Sequence, residues 1–155
     1  MEPSFERLLV LLADAGVRFV VVGGVAVTLN GYVRLTEDVD VIVESSDDNI
    51  LRLIAALSGW GEGYAAELSL ADFPDEEGAV RVVEETESCQ IDIFTVMSGF
   101  HYLDLVADAG TFTLRDHAIR FASKQALLRL KSNSVREKDR IDALALRQLL
   151  DRERK

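Results

Sequence analysis

Apolar positions recur at two different periods along this chain, and the switches between them mark out alternating helices and strands. Phe5, Leu8, Leu9 and Leu12 follow the i, i+3, i+4, i+7 spacing of a helix face, with Pro3 near its start and Gly16 at its stop. Residues 17–22 are a short run rich in β-branched side chains, which predicts a buried strand. After Gly23-Gly24 the spacing predicts a short helix from Val25 to Asn30, stopped by Asn30-Gly31. A second strand follows in the run Asp38-Val39-Asp40-Val41-Ile42-Val43. Asp47 and Asp48 then open a helix whose inner face is Ile50, Leu53, Ile54 and Leu57, the acids suiting the positive end of the helix dipole.

Periodicity weakens from Gly59 to Gly78, where glycines, Pro74 and the acidic run Asp75-Glu76-Glu77 predict a solvated excursion with one helical turn near Ala65 to Leu70. Strands from Ala79 to Glu84 and from Cys89 to Val96, separated by four polar residues, predict an antiparallel hairpin. A helix is expected from Tyr102 to Ala109, then short strands at Thr111–Leu114 and Ala118–Phe121 around the turn Arg115-Asp116-His117. The last third is helical. Ser123 caps a helix carrying Ala126, Leu127 and Leu130, and Ser134 with Glu137 matches a capping box for a final helix through Leu150. The result is one α/β unit, with a core over residues 1–122 and a helical C-terminal segment over 123–155 packed on it.

Bulk properties narrow the setting. A length of 155 residues suits one domain with a core that needs no staples. No apolar run approaches the ~18–20 residues of a membrane span, and Met1-Glu2-Pro3-Ser4 does not read as the start of a signal peptide. The one cysteine, Cys89, has no partner for an internal disulfide and reads as a buried structural thiol, so a cytoplasmic protein is expected. The formal net charge of −10 argues against a general nucleic-acid binder, but it is unevenly spread. Residues 1–114 hold 5 basic and 21 acidic side chains, hence −16, whereas residues 115–155 hold 12 and 6, hence +6. A basic tail beside an acidic body can meet phosphates or an acidic partner, or can simply be a solvated helical surface.

The chemistry begins with Asp38 and Asp40. Alternation along a strand puts both on one face, with Val39, Val41 and Val43 on the other. Two like charges side by side are costly unless a cation holds them together, although acids on a solvated sheet face are the plainer alternative. Asp92, alone in the apolar run Ile91-Asp92-Ile93-Phe94, is the third acid; it joins them if its strand neighbours theirs, or it pairs with a nearby Arg or Lys. Hard oxygen ligands suit Mg²⁺ or Mn²⁺ rather than zinc. Gly23 and Gly24 offer exposed backbone N–H groups at a helix start, a place for phosphates. Thr36 is expected to orient the aspartate loop, whereas His101 and His117 are expected in turns as surface residues. Lys124, Lys131 and Lys138 are read chiefly as solvated side chains, and less as substrate contacts.

Gly23-Gly24, thirteen intervening residues, Asp38-Val39-Asp40 and the distant Ile91-Asp92-Ile93 resemble the signature of the DNA polymerase β-type nucleotidyltransferase superfamily. The wider text, with Val22, Val25, Ala26, Gly31, Arg34 and Thr36, is similar to its small prokaryotic branch of minimal nucleotidyltransferases and nucleotidyltransferase toxins. The tail, with Lys131, Arg136, Lys138, Asp139 and Asp142, resembles theirs as well. The resemblance implies a mixed β-sheet with flanking helices and a Mg²⁺ (or Mn²⁺) site. In it Asp38 and Asp40 bind both metals, while Asp92 binds the catalytic one and helps deprotonate the acceptor hydroxyl. Gly23 and Gly24 would hold the nucleotide phosphates. The second glycine stands where the superfamily often has a phosphate-touching serine, so the grip shifts to backbone or to a basic side chain, Arg34 being the nearest.

The implied activity is transfer of a nucleoside monophosphate from a nucleoside triphosphate to a hydroxyl. Its acceptor is open among RNA (a tRNA 3′ end), a partner protein and a small molecule such as an aminoglycoside; the charge split favours the first two. A toxin–antitoxin setting, with a cognate toxin or antitoxin as partner, belongs to the same resemblance. The competing reading from another class is an antitoxin-like or regulatory partner with a residual nucleotide site. A metal-dependent phosphohydrolase ranks last, because the chain lacks the histidine and acid clusters that such enzymes use.

Overall fold

β-Branched residues build the centre of the fold. The computed structural model describes residues 3–33, 36–85, 88–131 and 137–154. Helix α1 (Pro3–Asp14) is followed by strand β1 (Phe19–Val22), α2 (Gly23–Leu29), β2 (Val39–Val43) and α3 (Asp47–Ser58). Two 3₁₀ turns (Tyr64–Glu67 and Leu70–Asp72) lead to β3 (Ala79–Glu84), β4 (Cys89–Phe94), β5 (Val96–Met97) and β6 (Phe100–His101). The chain closes with α4 (Tyr102–Val106), β7 (Gly110–Leu114), β8 (His117–Phe121), α5 (Lys124–Lys131) and α6 (Glu137–Glu153).

Six strands form one mixed sheet in the order β3-β4-β2-β1-β8-β7, with β5 and β6 as a separate two-stranded ribbon. β1 pairs antiparallel with β2 and parallel with β8; β2 pairs parallel with β4, and β3 antiparallel with β4. The registers align cross-strand neighbours in rows. One row reads Val21, Val41, Ile93 and Val80 across β1, β2, β4 and β3. Its first three members are fully or almost fully buried. Along one strand the faces alternate, so the next row, Val22, Asp40, Asp92 and Arg81, lies on the opposite face of the sheet. The row beyond it on that face, Val20, Ile42, Phe94 and Ala79, is apolar again. Two acids and an arginine thus share one rung between rows that are largely apolar.

The amphipathic helices seal this sheet. Phe5, Leu8, Leu9 and Leu12 of α1 are all buried, as are Ile50, Leu53 and Leu57 of α3. Ser46 caps α3, its hydroxyl accepting from the Asn49 N–H. Cys89 is buried in β4. Ser123 caps α5 by accepting from the Ala126 N–H at 3.1 Å, as the sequence predicts. No helix among the described residues is long and apolar enough to cross a membrane.

Several boundaries differ from expectation. The strand expected to run from Cys89 to Val96 stops at Phe94, because the Thr95 hydroxyl leaves the ladder to donate to the Pro74 carbonyl at 2.7 Å. That bond ties the acidic excursion to the core, and Glu77 adds a second tie by accepting from the Gly99 N–H. The run expected to be a solvated loop is thus pinned at both ends of the β5–β6 ribbon. Helix α4 ends at Val106 rather than Ala109. His101 and His117 lie in strands, not turns, and each faces an acid: His101 Nε2 is 3.1 Å from Asp75, and His117 Nε2 is 3.5 Å from Asp14.

Lys124 and Lys131 are engaged in ion pairs. Lys131 Nζ lies 2.8 Å from Asp139 and 3.2 Å from Asp142, joining α5 to α6, and Lys124 pairs with Glu153 at the far end of α6. Ser134, Arg136 and the Lys138 side chain lie outside the described residues. The Lys131 side chain is 10% exposed and that of Asp142 is 0% exposed, so the ammonium is a close and largely desolvated counterion of the carboxylate. Lys131→Met is expected to destabilise the protein by about 3 kcal/mol in urea melts, the scale for breaking a buried pair from one side. An unchanged midpoint would show that the bridge contributes nothing.

A candidate metal and nucleotide site at the head of the central strands

Each component of the polar rung is positioned by local geometry. β1 ends at Val22 and α2 begins at once with Gly23, whose φ of +65° lies in the left-handed region open to glycine. The helix thus starts two residues earlier than Val25, and both glycines belong to its first turn. Gly23 also packs directly on the site: a β-carbon there would sit 2.1 Å from Asp40 Oδ2. The glycine is therefore needed twice, for the turn and for the space that the Asp40 carboxylate occupies.

Asp40 stands beside Asp92 in the parallel β2–β4 pair, so the adjacency on which the sequence reading depended is present. Asp38 lies one residue before β2, and the Thr36 hydroxyl donates to its carbonyl at 3.2 Å, orienting the approach as expected. Asp38, Asp40 and Asp92 each offer a carboxylate oxygen, and these atoms all lie within 4.8 Å of one another. Asp38 and Asp40 are partly exposed, while Asp92 is buried. Arg34 lies outside the described residues.

Arg81 is the component that sequence reading overlooked. It faces Asp92 across the β3–β4 pair and grips both of its oxygens, Nε donating to Oδ1 at 2.8 Å and Nη2 to Oδ2 at 3.1 Å. The plain alternative for a strand acid, pairing with a nearby arginine, thus holds together with the clustering of the three acids. Burial opposes ionisation of Asp92, but the Arg81 guanidinium and hydrogen bonding with Asp38 and Asp40 outweigh it, and its carboxyl is held below the usual carboxylate range. Arg81 is shifted upward chiefly by its hydrogen bond to Asp92 and that residue's charge, with Asp38 and Asp40 adding to the effect.

Three close carboxylates with an all-oxygen donor set fit a hard divalent cation such as Mg²⁺ or Mn²⁺, and not zinc. Two other clefts lie away from this cluster. One of about 190 Å³ is walled by Val80 and Ile93 on the reverse face of the sheet, and one of about 440 Å³ is lined by Arg18, Tyr102, His117 and Arg120. Neither includes any of the three aspartates.

Among curated proteins no sequence matches the chain. A family described as nucleotidyltransferase of unknown function (DUF6036) matches residues 5–98, well over half of the sequence, and the matched span runs from α1 through β5. It takes in the glycine turn, all three aspartates and Arg81, and on that match the chain belongs to this nucleotidyltransferase family.

Proposed function

We propose that the protein transfers a nucleoside monophosphate from a nucleoside triphosphate to a hydroxyl group, with Asp38, Asp40 and Asp92 holding Mg²⁺ or Mn²⁺. The observation that carries this reading is the convergence of the three carboxylates, within 4.8 Å, beside a glycine with no room for a side chain. Divalent ions bound there would supply positive charge to the attacking and leaving oxygens of an in-line displacement. Asp38 and Asp40, at the entrance of β2, are the anchors for both ions. Asp92, kept ionised at neutral pH, takes the proton of the acceptor hydroxyl as its oxygen attacks the α-phosphorus. The new bond joins acceptor oxygen to α-phosphorus; the bond from that phosphorus to the bridging oxygen breaks, and pyrophosphate leaves with the electron pair.

In this reading Gly23, Gly24 and Arg34 grip the triphosphate. Residues 1–122 carry the chemistry, and residues 123–155 brace the core through α5 and α6. The acceptor is RNA or a partner protein: the acidic body of −16 disfavours polyanions near the site, while the tail of +6 offers a place to dock one. A toxin–antitoxin pairing fits a small transferase that acts on such a partner.

Transfer is tested by incubating the protein with each α-labelled nucleoside triphosphate, Mg²⁺ and either bulk tRNA or a cell extract. Label appearing in one RNA or protein band, with pyrophosphate released, is the expected result. Absence of transfer, together with absence of triphosphate binding by calorimetry, would overturn the reading and leave a regulatory partner protein.

A further inference from the structure

We propose that Arg81 is an exchangeable counterion of the acidic site, which gives up Asp92 to a divalent cation and then grips the nucleotide's phosphates. This inference rests on the proposed metal and nucleotide site and adds to it a residue that couples the two ligands. Four observations carry it. Arg81 stands directly opposite Asp92 in the β3–β4 register, at the end of the rung that begins with Val22 and Asp40. Its guanidinium engages both Asp92 oxygens in a fork, at 2.8 and 3.1 Å. The partners are unequally placed, the Arg81 side chain being 60% exposed and that of Asp92 only 8%. β3 is also the terminal strand of the sheet, so Arg81 projects from an edge.

The inequality decides which partner moves. Asp92 is fixed by burial within β4, whereas an exposed arginine on an edge strand swings away at little cost, because a pair with one solvated member holds weakly. A divalent ion approaching the three aspartates meets the full positive charge of Arg81 on the same carboxylate, and the two repel. Ion binding on its own is therefore opposed by Arg81. The released guanidinium remains rooted opposite Asp92, and its planar fork matches phosphate oxygens as well as it matched the carboxylate. A triphosphate arriving with the ion offers Arg81 a replacement partner, so the ion and the nucleotide favour each other's binding. Such coupling is reciprocal by thermodynamic necessity. Arg81 thus acts as a positioning and coupling residue that admits the metal chiefly in the company of its substrate.

The test is calorimetry at pH 7.5 on wild type, Arg81→Ala and Arg81→Lys, each first shown by its melting curve to be folded. One series titrates Mn²⁺ alone; the other titrates a non-hydrolysable α,β-methylene triphosphate at saturating Mg²⁺. Arg81→Ala is expected to bind Mn²⁺ about tenfold more tightly, the scale of one unit charge a few ångströms from a divalent ion in a wet site. It is expected to bind the triphosphate analogue about tenfold more weakly. Arg81→Lys keeps the charge but not the fork, and should hold Mn²⁺ affinity near wild type while losing part of the triphosphate affinity. Loss of affinity for both ligands, or no change in either, would overturn the inference and leave Arg81 as a structural brace for Asp92. A folded wild type that binds neither Mn²⁺ nor the analogue would instead remove the metal–nucleotide reading on which the inference stands.

Discussion

Asp38→Asn and Asp40→Asn should each abolish nucleotidyl transfer, by on the order of a thousandfold or more, while leaving the protein at least as stable as wild type. The activity loss follows from the charge that an amide cannot supply: electrostatic stabilisation of the transition state is usually the largest single contribution to such catalysis. The stability effect has the opposite sign because three carboxylates lie within 4.8 Å, and neutralising one removes its repulsion with the other two. Melting curves without divalent ions should therefore show unchanged or higher midpoints. Added Mg²⁺ should raise the wild-type midpoint and leave both variants unmoved, since a ligand stabilises only the fold that binds it. Asp92→Asn should behave differently, because it also removes the carboxylate that Arg81 grips; the loss of that half-solvated pair offsets the relief of repulsion, and the midpoint should stay near wild type. Wild-type rates in both the Asp38 and Asp40 variants would remove these residues from the chemistry.

The chemical core was legible in the sequence because acids in an apolar strand are costly and therefore informative. Asp40 and Asp92 stand out within runs of valine and isoleucine, and their strands are neighbours in the sheet. The amphipathic faces of α1 and α3 were legible for the same kind of reason, since a single stripe of leucine, isoleucine and phenylalanine has one place to go. Arg81 was within reach but passed over. A hairpin whose strands end at Glu84 and restart at Cys89 pairs those two residues, and the antiparallel register then sets Arg81 against Asp92. The signal was the lone arginine in the strand 79–84, weighed as part of the charge count and not as a neighbour.

Other features depend on contacts between segments distant in sequence. Nothing local to residues 89–96 says that Thr95 will bond to Pro74 and end the strand. His101 and His117 enter strands through their cross-strand pairing with Val96 and Leu114, and two- to five-residue strands leave little periodicity to read. The pairing of Lys131 with Asp139 and Asp142 needs the two tail helices to pack before it exists. Arg34, proposed as a phosphate contact from its sequence context, lies outside the described residues.

The second large effect is expected at Gly23, where a single methyl group should disable the site without touching a charge. A β-carbon on Gly23 would lie 2.1 Å from Asp40 Oδ2 and within 2.9 Å of two further Asp40 atoms, so the carboxylate must move. The backbone adds its own penalty, because φ of +65° costs an alanine roughly 1–2 kcal/mol. Gly23→Ala should therefore lower stability by about 2–3 kcal/mol once clash and backbone strain combine. It should also reduce transfer by on the order of a hundredfold, the penalty for displacing a catalytic group by about an ångström. Gly61 supplies the control, since it too has a positive φ, of +56°, and a β-carbon there would sit 1.9 Å from Glu84 Cδ, a buried carboxylate outside the cluster of three. Gly61→Ala should match the loss in stability but retain Mn²⁺ affinity and transfer in the folded fraction. If Gly23→Ala keeps both Mn²⁺ affinity and transfer, the close approach of the glycine does not place Asp40. If Gly61→Ala loses them equally, general destabilisation explains both variants. A selective loss at Gly23 alone would tie the glycine turn to the metal site through one contact, the seat of the Asp40 carboxylate.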